Sequence, residues 1–284
     1  MFTNVVVGVD DRQGGRDAIA LATRLIDSRG RLTLAHAYPG EARIPGRSAA
    51  AADEANRKRA LDLLERSREQ SGIDAQLRTI PAQSPAHGLH VLARDVGADL
   101  LVVGSSGDAT LGRVQLADDT HRTLNGAPCA VGIAPAGYAQ HPTEIREIGV
   151  GYNDSPESDN AIAFARKLAR RFGANLSAFE AVSLPSYTFI GGPVRLEDEE
   201  LDEMVDAARA RIAALGGVEA HAAYGITCDE LAVYSGSVHL LILGSRSFGA
   251  IGRLVHGSTS EALAGSARCP LLVLSRAGRG AADT

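Results

Sequence analysis

The chain is written twice, and that repetition restricts its possible folds more than any other feature. VVVGVDD at residues 5–11 returns as IGVGYND at 148–154, and AIALATRL at 18–25 returns as AIAFARKL at 161–168, both displaced by 143 positions. ADLLVVGSSG at 98–107 is answered by VHLLILGSRS at 238–247, displaced by 140. LGRVQL from 111 and APCAVGI from 127 keep that displacement against IGRLVH and ARCPLLV. The 284 residues are therefore two copies of one unit, each of about 140 residues and long enough to enclose a core of its own. PAGYAQHPTE at residues 135–144 has the composition of a linker, which places the two units at 1–137 and 145–278.

Inside each copy, short β-branched runs alternate with longer helical periods. Residues 5–9 form an unbroken apolar run, and Ile19, Ala22 and Ile26 then recur at helical spacing. Strands are expected at 32–37, 75–80, 100–103 and 130–133. Helices are expected at 49–71, closed by Gly72, at 84–96 and near Thr120. The second copy repeats the order, with its long helix at 197–215. Strands too apolar to face water, separated by helices, imply a parallel sheet covered on both faces. The fold class is α/β: two tandem open doubly wound five-stranded parallel sheets flanked by helices. In such sheets a ligand sits beyond the carboxyl ends of the strands. This points to Val9-Asp10 and Tyr152-Asn153, to His36-Ala37 and Glu180-Ala181, and to Gly104 and Gly244.

Composition narrows the function classes. A net charge of -5 gives no electrostatic reason to expect nucleic acid or anionic lipid. The apolar runs are far shorter than the ~20 residues of a membrane span. The start, MFTNVVVGVD, carries no basic leader, so a cytoplasmic location is the default expectation. Cys129, Cys228 and Cys269 have no CxxC spacing and read as small apolar fillers. His87 and His90 could share a helix face as metal ligands, but no Cys or carboxylate partner is evident and they read as two exposed histidines, with no metal site expected.

The stretch GSRSFGAIGRLVHGSTSEAL, residues 244–263, follows an apolar run and leads into Ser258-Thr259-Ser260-Glu261, a capping box. Glycine permits close backbone approach, and the amides of a helix start favour an anion. The same residues would serve equally as a turn and a cap. No Walker P-loop, complete GxGxxG, GxSxG elbow or Ser-x-x-Lys occurs, so no catalytic constellation is assigned. Arg113 and Arg253 occupy matching loop positions from which a guanidinium could fork onto a phosphate, and His256 precedes Gly257. Nearly all the basic residues are Arg, so a solvated loop arginine explains these equally well.

Together, a strand-1 ending in Val-Asp, a strand-4 exit of Gly-x-x-Gly, nine residues, Gly-Ser or Gly-Thr, and a last strand of Cys-Pro type resemble the universal stress protein family in its tandem form. The resemblance covers essentially the whole chain. It implies an adenine nucleotide α-hydrolase-like fold whose units pair through their fifth strands as an internal pseudo-dimer, leaving room for a further homodimer. It also implies an intracellular stress-associated protein that binds ATP, with Mg as an optional companion, as a regulatory module. The implied contacts in the second copy are Asn153, Ala181, Gly244, Ser247, Arg253, Gly257, Ser258 and Thr259. In the first they are Asp10, Ala37, Gly104 and Gly107. Two positions in the second copy depart from the pattern, Ser247 for the second glycine and Asn153 for the strand-1 Asp. In the first copy Ala117-Asp118 replaces Gly-Ser where phosphate should meet backbone N–H groups, and a carboxylate there repels a triphosphate. The second copy is therefore ranked as the principal site. Two other readings stay open: a scaffold in which both loops have decayed, and an enzyme cleaving or transferring from ATP.

Overall fold

The computed structural model describes residues 1–40, 49–105, 110–114, 126–183, 198–245, 263 and 265–274. Its elements run β1 (Phe2–Gly8), α1 (Gln13–Leu25), β2 (Ile26–Tyr38), α2 (Ala49–Ser71), β3 (Gln76–Pro81), α3 (Pro85–Asp95), β4 (Leu100–Gly104) and β5 (Ala130–Ala134) in the first half. The second half continues with β6 (Glu147–Gly151), α4 (Pro156–Phe172), β7 (Asn175–Val182), α5 (Asp198–Ala214), β8 (Glu219–Tyr224), α6 (Thr227–Tyr234), β9 (Leu240–Gly244) and β10 (Leu271–Leu274).

Each half is a five-stranded parallel sheet, as the alternating pattern requires, but the two are continuous. The strand order is β3-β2-β1-β4-β5-β10-β9-β6-β7-β8, and the only antiparallel pairing among these strands joins β5 to β10. Leu271, Leu272 and Val273 face Ile133, Gly132 and Val131 across this seam. An unpaired fifth strand would expose a row of N–H and C=O groups to any other chain, and mutual pairing removes both edges. The register places Cys129 and Cys269 at opposite ends of the seam, and both are free and buried. Burial pushes both thiols up to about 12.

The pleat sorts the strand residues into two layers. Val5, Val7, Leu34, Leu100 and Val102 join Ile19, Leu21 and Leu25 of α1 and Ile162 and Leu168 of α4 in one cluster that runs through both halves. Val6, Leu101, Val103 and Val131 face the other way, onto Leu89 and Ala93 of α3 and Leu231 and Tyr234 of α6. Each such Val, Leu or Ile side chain withdrawn from water contributes roughly 1.5–3 kcal/mol.

Local sequence chemistry explains most of the boundaries. α2 stops at Gly72, whose φ of 61° suits glycine. Pro85 and Pro156 open α3 and α4 at the first turn, where no N–H is needed. Ile26, expected to extend the α1 period, instead caps that helix and begins β2. β2 starts six residues earlier than the apolar run suggests because Phe2 pairs with Ile26 through a register shift. The linker is not loose: Tyr138 within it and Ile145 just after it are 4% and 5% exposed and belong to the first core cluster. His87 and His90 do not make an exposed pair either. The inner face of α3 is Ala86, Leu89, His90 and Ala93, so His90 is buried while His87 is exposed. Among the described residues no three His, Cys, Asp or Glu side chains gather as metal ligands. Nor is any described helix long and apolar enough to cross a membrane.

Candidate functional site

Strand 1 of each half lies between strands 2 and 4, so three strand exits meet at one edge. In the first half these carry Asp10, Ala37 and Gly104, and in the second Asn153, Ala181 and Gly244. Backbone bonds fix the start of each crevice: Val9 N–H donates to Ala35 O and Tyr152 N–H to Phe179 O, both at 2.9 Å. Ser105 N–H and Ser245 N–H donate to Ala134 O and Leu274 O at 3.0 and 3.1 Å, tying each strand-4 exit to its fifth strand.

The floor of each crevice is the first turn of a helix. A Cβ on Gly104 would lie 2.6 Å from Gly14 Cα and would collide with the Gly14 carbonyl. Gly14 itself meets the Ser105 carbonyl, 2.5 Å from where a Cβ would stand. In the second half Gly244 abuts Glu157 of α4, its hypothetical Cβ 2.6 Å from the Glu157 carbonyl carbon and 2.9 Å from Glu157 Cβ. Neither Gly104 nor Gly244 has positive φ. The close approach that demands glycine at these two exits is thus approach by a helix of the same chain.

The strand-1 residues are capping groups, and here the halves differ. Asp10 Oδ1 accepts from Gly15 N–H at 3.1 Å and Arg12 N–H at 3.2 Å, supplying acceptors that Arg12, the N-cap of α1, does not. In α4 the N-cap is Ser155. Its Oγ accepts from Ser158 N–H at 3.2 Å, and Ser158 Oγ accepts in return from Ser155 N–H at 3.0 Å. Asn153 Oδ1 accepts from the Ser155 hydroxyl at 2.6 Å. Both Asp10 and Asn153 are exposed.

Around these exits the electrostatics diverge further. In the first half His36 Nδ1 donates to Val9 O at 2.7 Å, which fixes the ring at the strand-1 exit. Glu180 holds the matching position of the second half, where Arg211 Nη2 donates to its Oε1 at 2.6 Å. Glu180 Oε2 is buried with no hydrogen-bond partner among the described residues. Beside it the Tyr152 hydroxyl reaches Asp154 Oδ1 at 3.2 Å and Asp159 Oδ1 at 3.3 Å, and its one proton serves one of them at a time. Burial, then the Asp159 charge, pushes this phenol up to about 12. Asp154 is also the described non-glycine residue with positive φ, 53°. Tyr152 and Glu180 lie at strand exits that the topology points to, whereas Asp159 of α4 and Arg211 of α5 are marked by no motif.

Arg113 is exposed on the 110–114 segment beyond β4. Gly107, Ser247, Arg253, His256, Gly257, Ser258 and Thr259, with Ala117 and Asp118, lie outside the described residues. So does the helix expected near Thr120. Two cavities bounded by described atoms lie elsewhere. One of about 660 Å³ is lined by Arg166, Arg170, Asn175 and Gly217, and one of about 560 Å³ by Arg16, Thr23, Gln70 and Gln140. Neither includes a strand-exit residue named above.

Among known proteins, a universal stress protein of Mycobacterium tuberculosis is 29% identical over 188 residues, 62% of this chain and 61% of its own length. The chain thus spans about three fifths of the mycobacterial relatives that it matches. A single-unit universal stress protein of Thermus aquaticus is 29% identical over 138 residues, covering 46% of this chain and 98% of its own. The crystal structure of a universal stress protein from Archaeoglobus fulgidus superposes with a TM-score of 0.67 at 15% identity, covering 96% of this chain and 98% of that one, a likeness of fold. The model of the Universal stress protein family matches residues 1–135 and again 144–275, so this chain belongs to that family, with two of its units in tandem.

Proposed function

We propose that this protein binds an adenine nucleotide, ATP first, with the second-half crevice as principal site, and acts through ligand-dependent choice of state or partner. The binding units are the two halves, 1–137 and 145–278. The observation that carries the reading is the distribution of charge around β6, β7 and β9. Among the described residues Asp154, Asp159 and Glu180 lie around the β6 and β7 exits with Arg211 bound to Glu180, whereas Gly244, packed against the Glu157 backbone, leads into the Gly-Ser loop. A triphosphate is repelled from the carboxylates within a Debye length of about 8 Å, which orients the adenosine toward Asn153 and Ala181 and the phosphates toward Gly257 and Ser258. Asn153 Oδ1 is engaged by Ser155, which leaves its Nδ2 as a donor to base or ribose. Ala181, small and half-buried, leaves room beside it. In the first half Asp10 Oδ2 is the corresponding acceptor. Any Mg would arrive with the phosphates.

The test is denaturation of the purified protein with mass spectrometry of the released small molecules, followed by ATP titration calorimetry. The expected result is a bound adenine nucleotide, tightened by Ser247→Gly and weakened by Ser258→Asp. A ligand at about 100 times its Kd stabilises a fold by ~2.7 kcal/mol. No nucleotide, together with no heat stabilisation by millimolar ATP, sinks the reading.

A further inference from the structure

A carboxylate that no motif marks ties the interdomain linker to α1. Asp17, in α1, is fully buried. Its Oδ2 accepts from Gly137 N–H at 2.9 Å, and its Oδ1 from Ala139 N–H at 2.8 Å and Gln13 Nε2 at 3.1 Å. All three partners donate, which is the demand an acceptor-only carboxylate meets and an amide does not. The linker so held pairs in turn with the chain leaving β4: Gly112 N–H donates to Ala136 O at 2.8 Å and Ala136 N–H to Arg113 O at 3.0 Å. Val114 N–H reaches across to Ala267 O of the second half at 2.7 Å. Asn160 occupies the matching position of α4 and is exposed, and no such latch is formed there among the described residues.

We propose that Asp17 is a positioning residue for the first crevice: through the amides of Gly137 and Ala139 it fixes Ala136, and through Ala136 the 110–114 segment that carries Arg113. The placement of Arg113 stands on the geometry alone; its consequence for ligand rests on the nucleotide reading above.

Hydrogen exchange with mass spectrometry on full-length protein, with and without ATP, tests it using Asp17→Asn. The variant should accelerate exchange at Gly137 and Ala139 by about 10-fold or more, the range for a lost buried bond to a charged group. Gly112, Ala136 and Val114 should follow by about half that factor, while amides of β1 change by less than about twofold. ATP-induced protection of 104–114 should fall with them, and that of 240–245 should not. A merely structural role would accelerate exchange uniformly in step with a lower Tm, and that outcome, or unaltered exchange at Gly112, overturns the proposal. If Asp17→Asn yields little folded protein, Gln13→Ala removes only the side-chain donor and should give the same order of amides at about threefold acceleration. Absence of ATP protection in the unsubstituted chain overturns the nucleotide reading, and the amide pattern still decides the latch.

Discussion

Replacing Gly244 by Ala separates a glycine kept for ligand from one kept for packing. The added Cβ would sit 2.6 Å from the Glu157 carbonyl carbon and 2.9 Å from its Cβ, besides overlapping the carbonyl oxygen. Ordinary carbon contacts are about 3.5–4.0 Å, so the helix must retreat by roughly 1 Å. It is poorly placed to do so, because Glu157 lies within the Ser155–Ser158 capping box and Ile162 and Ala165 behind it are buried. The cost belongs at the upper end of overpacking, about 3 kcal/mol. At roughly 2–4 °C per kcal/mol for a chain of this order of size, Tm should fall by about 6–12 °C. Thermal unfolding followed by far-UV circular dichroism, without nucleotide, measures it. Trimming Glu157 to Gly in the same chain should recover only part of the loss, since the oxygen and carbonyl carbon remain. A fall below 2 °C with weakened ATP binding would refute this reasoning and return Gly244 to the ligand. Ser247→Gly, by contrast, should move ATP affinity and leave Tm in place.

The capping asymmetry and the buried phenol give two further tests. Asp10→Ala removes the acceptor of the Arg12 N-cap amide and the Gly15 amide of α1 and should cost about 1 kcal/mol by urea unfolding, as should Ser155→Ala in α4, whereas Asn153→Ala should cost a few tenths. Equal losses at Asp10 and Asn153 would contradict the assignment of caps. Tyr152, raised from 10.0 to about 12, favours the fold in its uncharged form. That contribution is complete below pH 10 and is lost as pH rises through about 12. Tyr152→Phe should therefore flatten the fall in stability over that alkaline interval, and an unchanged alkaline profile would count against the shift.

The parallel core was legible because strands buried on both faces read as unbroken apolar runs, as in LLVVG and LLILG. The displacement of 143 and 140 between copies then fixed the order of elements. The start of β2 was hidden by its polar IDSRG, which reads as a turn and pairs irregularly with β1. Strand exits, Tyr152 and Glu180 among them, were found by the topology rule, yet their partners Asp159 and Arg211 were not. Each is an ordinary residue of its own helix or strand, and only the sheet order brings them together. Asp17 is the sharper case: nothing beside AIALATRL marks this charge as buried. It is buried because amides 120 and 122 residues away come to it.

The change from Asp10 to Asn153 now has a physical account independent of any ligand. In the first half the strand-1 carboxylate is required by α1, whose own N-cap, Arg12, offers no side-chain acceptor. Once Ser155 and Ser158 cap α4 between themselves, that demand lapses, and among the described residues position 153 keeps only a bond from the Ser155 hydroxyl. An amide accepts that bond as well as a carboxylate does. It also adds no fourth charge to Asp154, Asp159 and Glu180, which share the neighbourhood with Arg211 as the opposing charge. Asn at this position therefore relieves repulsion at the exits of β6 and β7. Its presence follows from helix capping and local charge, so it carries no weight as a sign of a decayed site, and the burden of that question falls on Ser247.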